Sequence, residues 1–186
     1  AREFLRDWIL GAQSTMTAIE NLRVPVIAAI TGACVGAGVD MIAACDLRYS
    51  TSDAKYCIKE VDLAVVADVG TVQRLQPIIG YGRVAELTYT GETFDGSKAE
   101  RIGLVNATFA TAEALMAHVE TLARDLAAKS PLTVRGVKKS LLYSRDHTVA
   151  EGLEFVAGWN AAMLISEDLR EAVSAYLQKR KPTFAD

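Results

Sequence analysis

Three carboxylates carry the chemistry this sequence offers. Asp40 lies in GACVGAGVDMIAACD (residues 32–46), and Glu60 and Asp68 lie in KEVDLAVVADVGTVQRL (residues 59–75). Acids set among apolar neighbours are costly to bury as anions, so they either reach solvent or do work on a substrate. Glu60 and Asp68 are eight residues apart, and Asp62 is the only charged residue between them. An irregular backbone over this stretch would let both face one cavity from opposite sides. In such a pair one group acts as base while the other donates a proton. A plainer reading is open for each. Asp68 precedes the helix start at Gly70 and is placed to cap it, Asp40 falls in a first helical turn where the dipole alone favours an acid, and Asp62 reads as a surface acid.

Gly32, Gly36 and Gly38 immediately precede Asp40. Small residues there let a ligand approach the backbone, and N–H groups at a helix start can hold a negative oxygen such as that of a thioester enolate. A close strand–helix packing turn explains the same glycines. The spacing is GxxxGxG, without GxGxxG and without a following Lys-Ser or Lys-Thr, so dinucleotide and P-loop readings are weak. No GxSxG elbow is present, which removes the serine-hydrolase reading.

The chain has 186 residues, 51% of them apolar and 23% charged, with net charge −3 and a pI near 5.5. That is room for one substantial core and argues against a generally basic nucleic-acid surface. Arg135, Lys138 and Lys139 make only a small basic cluster. Lys179-Arg180-Lys181 reads as a solvated helix end, with phosphate contact as the alternative. Cys34, Cys45 and Cys57 sit in apolar runs without a CxxC, which predicts buried, reduced thiols and a reducing compartment. His118 and His147 are far apart and no metal-ligand spacing surrounds them, so no metal is expected. No run has the length of a membrane span, no leader pattern is visible, and Phe184-Ala185-Asp186 is not a peroxisomal address.

Periodicity predicts the elements that position these residues. A helix spans 3–20, a buried strand 24–30, a tight loop 32–38 and a helix 39–45. Short strands follow at 46–50 and 55–58, then a helix from Gly70 to Pro77. Beyond Tyr81 helices dominate: 83–90 stopped by Gly91, then 97–101, a strand at 103–107, and a long amphipathic helix over 111–129 capped by Thr111. Pro131 opens the next helix, through Tyr143, and helices over 149–165 and 166–179 close the chain. Strands separated by helices predict an α/β layer with parallel pairing.

Taken in order, VPVIAAITGACVGAGVDMIAACDLRYS, KEVDLAVVADVGTVQRL, TGETFDGSKAERIGLVN and SEDLREAVSAYLQKRKPTF resemble the crotonase superfamily, the enoyl-CoA hydratase/isomerase family, from about Leu22 to Phe184. Asp40, Glu60 and Asp68, with the local VADVGT, are similar to the acid pattern of its Δ3,5-Δ2,4-dienoyl-CoA isomerases. Hydratases usually carry Glu at the position of Asp40 and Gly at that of Asp68. The resemblance implies a crotonase-like α/β fold of repeated ββα units. Residues 1–110 would form the C-terminal portion of the core carrying the active site, and 111–186 a helical trimerisation region. It further implies acyl-CoA thioester substrates, no metal or redox cofactor, homotrimers or hexamers, and no nucleic-acid or membrane partner. A soluble intracellular location is expected, with cytoplasm, mitochondrial matrix and peroxisome undistinguished.

Residue by residue, the resemblance makes Glu60, Asp68 and Asp40 catalytic, with Glu60 near C2, Asp68 near C6 and Asp40 orienting the pair. Ala37 would supply an oxyanion amide, Gly36 would shape that loop, and Leu63, Val65 and Val66 would line the acyl site. The implied reaction converts 3,5-dienoyl-CoA to 2,4-dienoyl-CoA in fatty-acid β-oxidation. The alternatives are 2-enoyl-CoA hydration and a non-catalytic RNA-binding or assembly role. Family members also carry an A-G-x-D-like segment, the source of the first oxyanion amide, ahead of the part matched here. It has no counterpart in these residues, so the N-terminal part of the fold is expected to be missing.

Overall fold

The computed structural model describes residues 2–185. The order of elements is α1 (Arg2–Glu20), β1 (Ile27–Ile30), β2 (Ala33–Val35), α2 (Ala37–Ala43), β3 (Leu47–Thr51), β4 (Lys55–Cys57), a 3-10 turn (Glu60–Leu63) and α3 (Thr71–Ile79). Then come α4 (Tyr81–Thr90), β5 (Phe94–Asp95), α5 (Gly96–Arg101), β6 (Ala107–Phe109), α6 (Ala112–Ala127), α7 (Pro131–Asp146), α8 (Val149–Met163) and α9 (Glu167–Leu177).

The strands form two three-stranded sheets, ordered β1-β3-β6 and β2-β4-β5, and β1 to β4 alternate between them. Two strands and a helix, then two strands and a helix, make the repeated ββα unit. The first sheet is parallel throughout, with Ile27 opposite Leu47 and Tyr49 opposite Ala107. In the second, β2 and β4 run parallel and β4 and β5 antiparallel. A parallel strand needs a crossover, and here α2 sits between β2 and β3, so the register of both sheets places the start of α2 beside the end of β4.

The chain divides into two compact units. One holds α1 and Val26–Glu120, the other Arg23–Pro25 and the chain from Thr121 onward. The first unit has its own core, in which Tyr56, Leu75, Ile58, Leu87 and Leu104 are fully buried. Tyr56 stacks on Phe94 at 5.4 Å and donates its hydroxyl to Ser50 Oγ at 2.7 Å, so the one polar atom of a buried ring is satisfied. Arg48 is buried as well. Its guanidinium donates to the carbonyls of Leu104 at 2.7 Å and Cys45 at 2.6 Å, tying β3 to the end of α2 and to the turn before β6. Burial lowers its pKa from the ordinary arginine value.

The second unit is helical. Ser130 caps α7 and also donates to Asp168, and Thr148 and Glu151 form a reciprocal capping box at the start of α8. Gly136 permits the close crossing of α7 and α8, because a Cβ there would lie 2.4 Å from Trp159 Nε1. Tyr143 stacks on both His147 and Phe155. Thr183 N and Arg180 bind Glu171, whose pKa falls to about 2 through those hydrogen bonds, the guanidinium's first.

Several sequence expectations shift. The strand expected over 24–30 starts only at Ile27, because Val26 uses its N–H on Asp46 Oδ2 and its carbonyl on the Asp46 and Leu47 amides. Residues 33–35, expected as loop, pair with β4 as β2. The two-residue β5 is an element the pattern did not reveal. The strand expected over 103–107 lies at Ala107–Phe109, with Gly103 turning the chain at φ 80°. Cys34 and Cys57 are buried but Cys45 is only half-buried, and none of the three is in a disulfide.

Candidate active site

The site is assembled where β2 hands over to α2. Gly36 connects them at φ 53° and ψ −118°, a conformation that side chains disfavour. Its N–H donates to the Cys57 carbonyl at 3.0 Å, which clips the loop to the end of β4. Its carbonyl accepts from Val39 N at 2.7 Å and Asp40 N at 3.3 Å, leaving the Ala37 and Gly38 N–H groups without an acceptor among the described residues. Orphan donors at a helix start are what this geometry produces.

Glu60 opens the 3-10 turn directly after β4. A Cβ built on Gly36 would stand 3.2 Å from Glu60 Oε1, so the bare glycine leaves the carboxylate room to pack over the loop. Glu60 Oε2 is buried and has no hydrogen-bond partner among the described residues. A buried carboxylate oxygen without a donor is costly, and the arrangement suits a group that completes its bonding only with a substrate. The turn is seated from below by Gly91, at φ 59°, where a Cβ would lie 3.0 Å from Val61 Cγ1 and 3.2 Å from the Asp62 carboxylate. Asp62 itself pairs with Lys59 at the surface.

Asp40 has a different setting. It is 2% exposed, and its Oδ1 accepts both the Thr71 N–H, at 2.7 Å, and the Thr71 hydroxyl, at 2.6 Å. The carboxylate therefore caps α3 from another element and ties it to α2. The cap role considered for Asp68 falls away, because Gly70 is the N-cap and the first amide of the helix goes to Asp40. Thr71, the residue that holds Asp40, was missed in sequence. A threonine at the first position of a helix, just after a glycine, is too common to single out.

Asp68 is exposed. Leu63, Val65 and Val66, expected to line an acyl site, are 67%, 54% and 78% exposed. Within this chain Glu60 and Asp68 do not share an enclosed apolar slot. The physical reason is that Val61, Leu63, Val65 and Val66 stay at the surface instead of folding over the carboxylates, while Ala67 turns into the core. The structure thus brings together Gly36, Ala37 and Glu60, and links Asp40 to the residue three positions beyond Asp68.

Cys34, beneath the loop at 3.5 Å from where a Gly38 Cβ would be, stays a thiol because burial pushes its pKa up to about 12. No group of three or more His, Cys, Asp or Glu side chains is placed to hold a metal among the described residues, and no described helix is long and apolar enough to cross a membrane. An open cavity of about 450 Å³ lies in the helical unit, lined by Tyr143, Glu151, Glu154, Phe155, Gly158 and Trp159, none of them a candidate from the sequence.

Strands shared between two sheets, with a glycine loop presenting amides beside Glu60, match the crotonase-like fold that the sequence resemblance implied. Residues 7–186 match the family described as enoyl-CoA hydratase/isomerase, and the chain belongs to it. It is 55% identical over 183 residues to the peroxisomal Δ(3,5)-Δ(2,4)-dienoyl-CoA isomerase of Arabidopsis thaliana, covering 98% of this chain and 66% of that protein. It is 46% identical to the mitochondrial Δ(3,5)-Δ(2,4)-dienoyl-CoA isomerase of Mus musculus, covering 95% of this chain and 54% of that one. Among solved structures, an enoyl-CoA hydratase from Bacillus anthracis superposes with a TM-score of 0.93 at 30% identity, over 99% of this chain and 71% of that chain. The chain therefore spans between about half and two thirds of the length of these curated relatives.

Proposed function

We propose that the protein carrying this chain converts 3,5-dienoyl-CoA to 2,4-dienoyl-CoA. The single observation that carries this reading is the Glu60 carboxylate, with one oxygen buried and unpartnered and the other against Gly36 beside the free Ala37 amide. A base adjacent to an oxyanion donor is what proton removal next to a thioester carbonyl requires. Glu60 takes the proton from C2, and the electron pair delocalises into a dienolate whose oxygen accepts from the Ala37 N–H. A proton from solvent reaches C6 by way of the Asp68 carboxyl. The double bonds move into conjugation, and the proton taken by Glu60 is released to solvent. Asp40 orients rather than reacts, since both hydrogen bonds described for its Oδ1 go to Thr71. CoA enters as part of the substrate, and the reaction as written uses no metal or redox cofactor.

The identities to the two dienoyl-CoA isomerases support the substrate class. The RNA-binding alternative loses its basis, because Lys138 is 4% exposed and donates to the Val24 carbonyl at 3.0 Å, which breaks the small basic cluster. Self-association as a homotrimer or a hexamer is the assembly we infer. Its support is the apolar residues left open at the end of the helical unit, among them Ile165 and Tyr176 at 85% and 83% exposure. Three cysteines outside any disulfide fit an intracellular setting.

The test supplies purified protein with 3,5-dienoyl-CoA and, separately, with 2-enoyl-CoA, and follows the dienoyl and enoyl absorbance bands. Dienoyl formation outpacing hydration is the expected result. Fast hydration without dienoyl formation would replace the isomerase reading with a hydratase.

A further inference from the structure

The corner that carries Asp68 is held from one side by a single arginine. Arg74, on the first turn of α3, reaches back over residues 69–70 toward α1. Its Nη1 donates to the Val69 carbonyl at 3.3 Å, its Nη2 to Thr17 Oγ1 at 3.0 Å, and its Nε pairs with Glu20 Oε1 at 3.3 Å. Both side chains of the Arg74–Glu20 pair are only 12% exposed. Gly70 makes room for this. It adopts φ 127°, and a Cβ there would stand 1.9 Å from Arg74 Nη1. From the same helix, Gln13 Nε2 donates to the Asp68 carbonyl at 2.6 Å. The backbone of residues 68–70 is therefore fastened to α1 at two points, while the Asp68 side chain itself stays exposed.

We propose that Arg74 is a positioning residue for Asp68. It spans α1, the 68–70 corner and α3, and fixes where the Asp68 carboxyl stands relative to the substrate's far end. Half-buried, charge-assisted hydrogen bonds in a planar fork hold geometry better than an exposed pair does. On the opposite flank, Thr71 is locked to Asp40 on α2. The corner is thus clamped between α1 and α2, and Arg74 is the α1 side of the clamp. This inference rests on the isomerase reading above and deepens it.

The two carbons allow a discriminating test. In D2O, Glu60 exchanges the C2 hydrogen even when Asp68 is out of place, because the dienolate can be reprotonated where it formed. Conversion needs Asp68 at C6. Arg74→Gln should lower conversion about 10- to 100-fold, the usual cost of misplacing a reacting group by the order of an ångström. It should leave KM close to wild type and keep C2 exchange, so that the ratio of exchange to conversion rises. In an Asp68→Asn background the same substitution should cost nothing further. Gln13→Ala, which removes the other fastening without touching the ion pair, should raise the exchange-to-conversion ratio in the same direction and keeps the idea testable if Arg74→Gln does not fold. Wild-type conversion in both variants, exchange falling in step with conversion, or losses that multiply in the double variant would each overturn the positioning role. Wild-type conversion by Asp68→Asn alone would instead take Asp68, and with it the positioning role of Arg74, out of the reaction, whereas hydration without conversion by the wild type would sink the isomerase reading itself.

Discussion

Replacing Gly36 with alanine separates the backbone demand of the loop from its packing. At φ 53° and ψ −118° an alanine is strained, at a cost of about 1–3 kcal/mol. Its methyl would also meet Glu60 Oε1 at 3.2 Å, so the carboxylate has to give by a few tenths of an ångström. Gly38 is the internal control. A Cβ there meets only Cys34 Sγ, at an ordinary 3.5 Å, and its φ is not positive. Gly38→Ala is therefore neutral or stabilising by about 0.4–1 kcal/mol through the unfolded chain. The two variants should differ by about 1–4 kcal/mol, which with a urea slope of about 2 kcal/mol/M separates their unfolding midpoints by about 0.5–2 M. On 3,5-dienoyl-CoA, Gly36→Ala should lose about 100-fold in rate by displacing the base, while Gly38→Ala stays close to wild type. Equal urea midpoints and equal rates for the two would refute the claim that Gly36 shapes the site.

Two further outcomes follow from the same geometry. Thr71→Val removes the hydroxyl that donates to buried Asp40 and should destabilise by about 1.5–3 kcal/mol, as for a lost bond to a charged group. Thr71→Ser should restore most of that in urea unfolding, and equal stability of the two would remove the Asp40 clamp. On the alkaline side, burial raises Cys34 from 9.0 to about 12 and Tyr56 from 10.0 to about 12. Both groups are neutral when protonated and their folded values are raised, so their stabilisation is full below pH 9 and is lost as pH rises through about 12. Unfolding midpoints measured across that range should fall less steeply for Cys34→Ala than for wild type, and parallel slopes would contradict it.

Much of this architecture was legible in the residues. Capping signals placed helix starts well: Thr111 accepts from Ala114 N, and Ser166 from Leu169 N. Gly91 ends α4 in the left-handed conformation, as a glycine stop should. Short strands were harder. β2 is three residues in a glycine-rich run, and β5 is two. Neither is long enough to show alternation, and both exist because β4 offers them partners. In the site, the glycine loop and Glu60 were readable as types. What could not be read was that Glu60 packs over Gly36, since the two are brought together by the pairing of β2 with β4. The sequence likewise marked Asp40 for its place in a first turn, but its partner Thr71 is 31 residues away. The shared apolar slot for Glu60 and Asp68 was inferred from the apolar residues between them, and of these Val61, Leu63, Val65 and Val66 remain exposed.

The central claim is that Glu60 is the base working on the carbon next to the thioester carbonyl. Hydrogen exchange at C2 of a bound 3,5-dienoyl-CoA, followed in D2O for wild type and Glu60→Gln, tests it most directly. The variant should exchange about 100- to 10,000-fold more slowly, the range for a positioned base, with unfolding stability retained. Exchange at the wild-type rate in a folded Glu60→Gln protein would contradict the account.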